Sequence, residues 1–155
     1  MTLSSSPELE RSIRQMFGAV ERKDLQAILT MFADDAVMAD PHYPNPTMRG
    51  KAEIEAGLRW GFGSMRQFGF PIEQIYFAQD GHSAAVEVAT HHILKVGMHL
   101  RFPQMFAVET HAGKITRLQA YEPYGPHGIA GAVLVITRLV NALQRQRAKS
   151  QLNRR

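Results

Sequence analysis

The hydrophobic period changes near residue 66, and that change limits the folds open to the chain. Before it, apolar residues recur at helical spacing; beyond it they alternate. Ser6 and Pro7 open a first helix, with acids in its first turn and Leu9, Ile13, Met16, Phe17 and Val20 on one face. After a polar break at 21–24, Asp24 caps a short second helix carrying Leu25, Ile28, Leu29 and Phe32. A short strand over 36–39 runs into Asp40-Pro41. Three prolines between 41 and 46 make the next segment a loop. A third helix is expected over 51–62, closed by Gly61 and Gly63.

Period two then takes over. Strands are expected over 68–77 (interrupted by Pro71), 83–96, 98–108 and 114–121, with hairpin turns at Asp80-Gly81 and His111-Ala112-Gly113. Helices first and a meander of long strands afterwards indicate an α+β fold with a segregated antiparallel sheet. In the strand over 98–108, Leu100, Phe102, Phe106 and Val108 lie on one face, and Arg101, Pro103, Met105 and Ala107 on the other. One sheet face must take the helices. The second is also apolar, which predicts a homodimer through the sheet.

The chain has 155 residues, 45% hydrophobic and 21% charged, which fits one globular domain and excludes a wholly disordered chain. With no cysteine, thiolate chemistry and disulfides are excluded, and a reducing, cytoplasmic location is the expectation. No run of about 20 apolar residues offers a membrane span, and the polar start lacks the pattern of a signal peptide. The formal charge of +4 is unevenly placed. Residues 129–155 hold six Lys and Arg and no acid, so the rest carries −2. A solvated basic tail is therefore expected rather than a nucleic-acid-binding face. The expected division is a main domain over 1–128, then an apolar helix over 129–143 and the tail. That helix reads as a lid or dimer-packing element, with a membrane-surface helix as the alternative.

Asp24-Leu25-Gln26-Ala27-Ile28-Leu29-Thr30-Met31-Phe32-Ala33-Asp34-Asp35-Ala36-Val37, then Ala39-Asp40-Pro41, then Arg49-Gly50-Lys51-Ala52-Glu53-Ile54 resemble the ketosteroid isomerase and SnoaL-like branch of the nuclear transport factor two superfamily. Gly113-Lys114-Ile115 with Leu118-Gln119-Ala120-Tyr121 resembles the family's last strand. The resemblance spans roughly residues 8–122. It implies a cone: a curved sheet wrapped on helices around one pocket. It also implies that Asp40 is a general base, since a carboxylate entering an apolar cone is desolvated and made more basic.

The same alignment puts Met16 and Met105 where the isomerases carry oxyanion donors, and neither side chain can donate a hydrogen bond. A shift of one residue would put Gln104 in the place of Met105. By the alignment Glu87, Ala89 and His91 face the pocket, and so do Leu118, Ala120 and Glu122. The expected catalytic set is thus Asp40 with His91 and Glu122. Met16, Phe32, Tyr43, Trp60, Glu87, Met105 and Leu118 are expected around the ligand, with His42 near the mouth. Asp40, Glu87, His91 and Glu122 resemble a metal-binding set only loosely, no helix carries His-x-x-x-His, and neither metal nor cofactor is expected. Phosphate-loop and nucleophile-elbow patterns are absent.

The reaction implied is proton abstraction beside a carbonyl of a small hydrophobic substrate, as in an isomerase or a SnoaL-like cyclase. Two alternatives stand beside it. One is a non-catalytic pocket that binds an apolar ligand. The other is hydrolysis of an epoxide by carboxylate-activated water, whose Asp/Arg/Asp pattern has no counterpart here beyond Arg101.

Overall fold

The computed structural model describes residues 6–122. The elements are α1 (Pro7–Glu21), α2 (Leu25–Met31), β1 (Phe32–Ala39), β2 (Thr47–Arg49), α3 (Gly50–Ser64), β3 (Met65–Gln67), β4 (Ile72–Phe77), β5 (Ser83–Leu94), β6 (His99–His111) and β7 (Lys114–Tyr121). The apolar helix expected over 129–143 and the basic tail lie outside the described residues. No described helix is long and apolar enough to cross a membrane.

The helix starts follow local chemistry. The Ser6 hydroxyl accepts from Leu9 N–H at 3.4 Å, with Pro7 at the first helical position. The Asp24 carboxylate accepts from Ala27 N–H at 3.0 Å. At α3, Glu53 reaches back to accept from Arg49 N–H at 2.8 Å. α3 also runs past Gly61 and Gly63 to Ser64, so these glycines do not end it.

The strands form one sheet in the order β2-β1-β7-β6-β5-β3, with β4 also paired to β5. β5, β6 and β7 form an antiparallel meander. β1 departs from expectation by pairing parallel to β7. β2, inside the stretch before α3, pairs antiparallel with β1. Of the expected strand over 68–77 only 72–77 forms, as β4, and the short β3 precedes that stretch unexpectedly. β3 pairs with the end of β5 near Leu94, and β4 with its middle. Between them Ala89 N–H donates to Pro71 and His91 N–H to Gly69, so the ladder continues across the break.

The three helices cover one sheet face. Ile13 and Met16 of α1, Ile54 and Leu58 of α3, and Val86, Val88 and Val108 of the sheet are all sealed from solvent. Phe17 packs edge-on to Phe106, with ring centres 5.0 Å apart. Phe32, expected at the ligand, is instead a fully buried core residue. At 25 cal/mol per Å², burial of such side chains contributes about 2 kcal/mol each.

Candidate functional site

Between helices and sheet lies a cavity of about 420 Å³. Its walls are mostly apolar, from Met16, Phe68, Phe70, Phe102, Phe106 and Leu118. Asp40, His42, Tyr43, His92, Gln104 and Glu122 are its polar and ionisable lining.

β1 delivers Asp40 to this cavity, and the proline-rich loop after it holds the side chain there. Asp40 N–H donates to Pro46 O at 3.0 Å, and Tyr43 N–H donates to Asp40 O at 3.2 Å. Pro41 has no N–H to offer the carboxylate, but the next amide does: His42 N–H donates to Asp40 Oδ1 at 2.9 Å. Tyr43 then folds back on α3. A Cβ on Gly57 would sit 3.3 Å from its ring, and one on Gly61 3.0 Å from its hydroxyl, so both glycines keep the seat open.

Glu122 directly follows β7, and its carboxylate accepts from His42 Nδ1 at 2.5 Å and from Gln104 Nε2 at 2.9 Å. Gln104 is fixed in turn, because the buried Thr90 hydroxyl donates to its Oε1 at 2.8 Å. His42 Nδ1 is 3.8 Å from Asp40 Oδ1. One polar atom each from Asp40, His42 and Glu122 falls within 4.8 Å of the other two. Burial raises the pKa of Asp40, against the bond from the His42 amide. Burial also raises Glu122, and the charge of Asp40 adds to it. Burial and the same charge keep the Tyr43 phenol firmly protonated. A carboxylate pair and an imidazole at one end of an apolar hollow can move a proton to and from a bound molecule.

A profile of the SnoaL-like domain matches residues 13–118. The chain belongs to the SnoaL-like family. Solved structures agree on its fold, the curled half-barrel of the nuclear transport factor two superfamily. A Catenulispora acidiphila protein with a ketosteroid isomerase-like fold, in complex with trimethylamine, superposes with a TM-score of 0.64 at 22% identity over 76% of this chain and 86% of that one. A Mycobacterium tuberculosis protein in complex with estradiol-17β-hemisuccinate gives 0.66 at 18% identity over 74% and 92%. An epoxide hydrolase of the same organism gives 0.64 at 21% identity over 74% and 78%.

Within this SnoaL-like domain, Asp40, Glu122, Met16, Tyr43, Trp60 and Leu118 border the cavity, while other expected residues do not. On β5 the inward positions are Val86, Val88, Thr90 and His92. Glu87 and His91 therefore lie on the outer face. Glu87 accepts from the exposed Tyr76 hydroxyl at 3.1 Å, and His91 pairs with His99 at 3.0 Å. Met105 is outward too, opposite Glu87 in the ladder, and Gln104 takes the inward place. No bulge at Pro103 produces this, since the β5–β6 register is unbroken. Arg101 is exposed on the outer side as well. Gln104 stands where the one-residue shift would put it, and His92 is a lining residue absent from the expected set. The alternation Phe102-Gln104-Phe106 was the available signal, because it puts Gln104 in phase with two large apolar residues.

Proposed function

We propose that the protein is a small-molecule isomerase or cyclase in which Asp40 takes a proton from the carbon beside a carbonyl group. The observation that carries this reading is the placement of Asp40. It is only 14% exposed at the polar end of an apolar cavity, within reach of His42 and Glu122. The C–H bond breaks, its electron pair enters the carbonyl to give an enolate, and the proton resides on Asp40. Isomerisation returns that proton to another carbon of the same molecule. Cyclisation lets the enolate carbon bond to a second carbonyl carbon, and the proton goes to the new alkoxide. Glu122 and His42 supply protons or hydrogen bonds to the developing charge. His91 cannot share this role from the outer face.

The substrate is a small hydrophobic carbonyl compound, matching walls built mainly from aromatic and aliphatic side chains. Conjugation of a β,γ-unsaturated cyclic ketone, followed by ultraviolet absorbance and by deuterium uptake from D₂O, tests the chemistry. Asp40→Asn lowers the rate about 10²–10⁴-fold, and a rate within threefold of the parent rejects the assignment. Epoxide opening is the weaker reading, because Arg101 faces outward and the described cavity lining contains no arginine beside the carboxylates.

The reading includes a homodimer through the outer sheet face and a cytoplasmic, metal-free and cofactor-free protein. That face presents Ala85, Ala89, Met105 and Ala107, bordered by the half-exposed Tyr76 and Tyr121. A second copy supplies a matching surface of the same kind. Light scattering giving about twice the 17.4 kDa chain mass is the expected result, and the single-chain mass rejects it.

A further inference from the structure

We propose that His92 is a neutral hydrogen-bond donor that anchors an uncharged acceptor oxygen of the ligand, a carbonyl, ether or hydroxyl, in the same cavity as Asp40 and His42. The proposal rests on the reading that the cavity is the ligand site, and it adds a second polar anchor that the base does not provide.

The ring is held from three directions. It is 7% exposed and stands edge-on to Phe68 and Phe70, with centroid separations of 5.1 and 4.8 Å. Its Nδ1 accepts from Gly69 N–H at 3.4 Å. In a neutral imidazole the nitrogen that accepts carries no hydrogen, so the proton sits on Nε2. Nε2 has no partner among the described residues. No described side-chain nitrogen or oxygen is sealed away without a partner, so this donor opens to the cavity that the ring lines. Burial lowers the pKa of the ring to about 4, against the neighbouring His91 backbone, which raises it, and keeps the ring uncharged near neutrality.

Gly69 makes the clamp. His91 N–H donates to Gly69 O at 3.0 Å, and a Cβ on Gly69 would stand 2.7 Å from the His91 carbonyl oxygen. Only glycine lets the two backbones come so close. The Glu21 carboxylate accepts from Phe70 N–H at 2.6 Å and fixes the same segment to α1.

Phe102 spaces the two anchors. Its ring centre is 6.0 Å from that of His42 and 6.2 Å from that of His92. A ligand that uses both packs against this ring. A neutral donor offers an anion no charge to pair with, and its other nitrogen is already occupied, so a ligand group that only donates gains nothing here. An uncharged acceptor oxygen is the group that fits. In an aromatic, water-poor wall such a bond discriminates more strongly than in water.

The test compares 4-cyclohexylcyclohexanone with bicyclohexyl, the same skeleton without the oxygen, by equilibrium dialysis against the full chain. The parent protein prefers the ketone. His92→Phe, which keeps a planar ring and removes the donor, lowers the ketone-to-hydrocarbon affinity ratio about tenfold, and His92→Gln restores most of it. Long-range ¹H–¹⁵N NMR of the unaltered protein at pH 7 places the imidazole proton on Nε2. The proposal is overturned if the ratio in His92→Phe stays within twofold of the parent, if the proton resides on Nδ1, or if the parent fails to bind the ketone. These are equilibrium measurements on the binding step. An unchanged ratio alongside a rate lost in Asp40→Asn removes the donor and leaves the base. The reverse pair of results removes the base and leaves the donor.

Discussion

His91 and His92 are consecutive residues of β5 and have nothing else in common. His91 stands on the outer face, pairs with exposed His99, and sits opposite Arg101 in the ladder. His92 lies among phenylalanines with one nitrogen bound to Gly69. The chemistry of an imidazole is set by which side of the sheet it takes, and one residue of phase decides that. The contrast extends along both long strands. Val86, Val88, Thr90, Gln104 and Phe106 are inward and buried, whereas Ala85, Glu87, Ala89 and Met105 are partly exposed.

The largest expected difference between the faces is in packing. Phe106→Ala removes a ring touching Phe17 and Phe70 and costs about 3–5 kcal/mol in urea denaturation. Met105→Ala, one residue away and outward, removes a partly exposed side chain and costs about 1–2 kcal/mol with the dimer face included. Equal costs would erase the distinction.

A pH series comes next. His92 falls from 6.5 to about 4 on folding. The unfolded chain therefore binds more protons between those values. Stability from this residue is complete above about pH 6.5 and is lost as the pH drops toward 4, about 3 kcal/mol in all. Asp40 and Glu122 are raised and act in the opposite sense, regaining stability as they protonate. His91 is lowered as well, by desolvation and by Arg101 and His99, but it is partly exposed on the outer face. Denaturation at pH 7, 5.5 and 4.5 therefore shows a fall that His92→Phe largely removes and His91→Phe reduces less. A fall that survives in His92→Phe assigns it elsewhere.

The smallest comparison concerns neighbours again. Thr90→Val strands the buried Gln104 oxygen and costs about 1–2 kcal/mol, while His91→Ala stays within about 0.5 kcal/mol. A cost for the histidine as large as for the threonine would show that the outer face is not the lightly loaded one.

Much of the architecture was legible because it rests on short-range signals. Ser6 and Asp24 cap helices, Asp80-Gly81 turns a hairpin, and the change from helical to twofold spacing separates the layers. The parallel pairing of β1 with β7 was not legible, since it joins residues about 80 apart through backbone groups that every sequence carries. β2 is three residues after a proline-rich loop and has no pattern to read. The site divides along the same line. The resemblance marks Asp40 through the Asp40-Pro41 pair and Glu122 through the end of the last strand, two places where alignment has a local anchor. The phase of β5 and β6 does not declare itself, because Ala85, Ala89, Met105 and Ala107 make the outer face nearly as apolar as the inner one. Alignment to the family alone then chose Glu87, His91 and Met105, one position out of step with the side chains that Val86, Val88 and Phe106 bring inward.

Trp60 is the single tryptophan of the chain, and it borders the cavity with its ring 5.6 Å from Tyr43. Emission excited at the red edge of the absorption, beyond the reach of the four tyrosines, therefore has one source, placed where a guest would arrive. A compound library can be screened by that glow alone, and brightness against dose gives an occupancy curve before any turnover has been found.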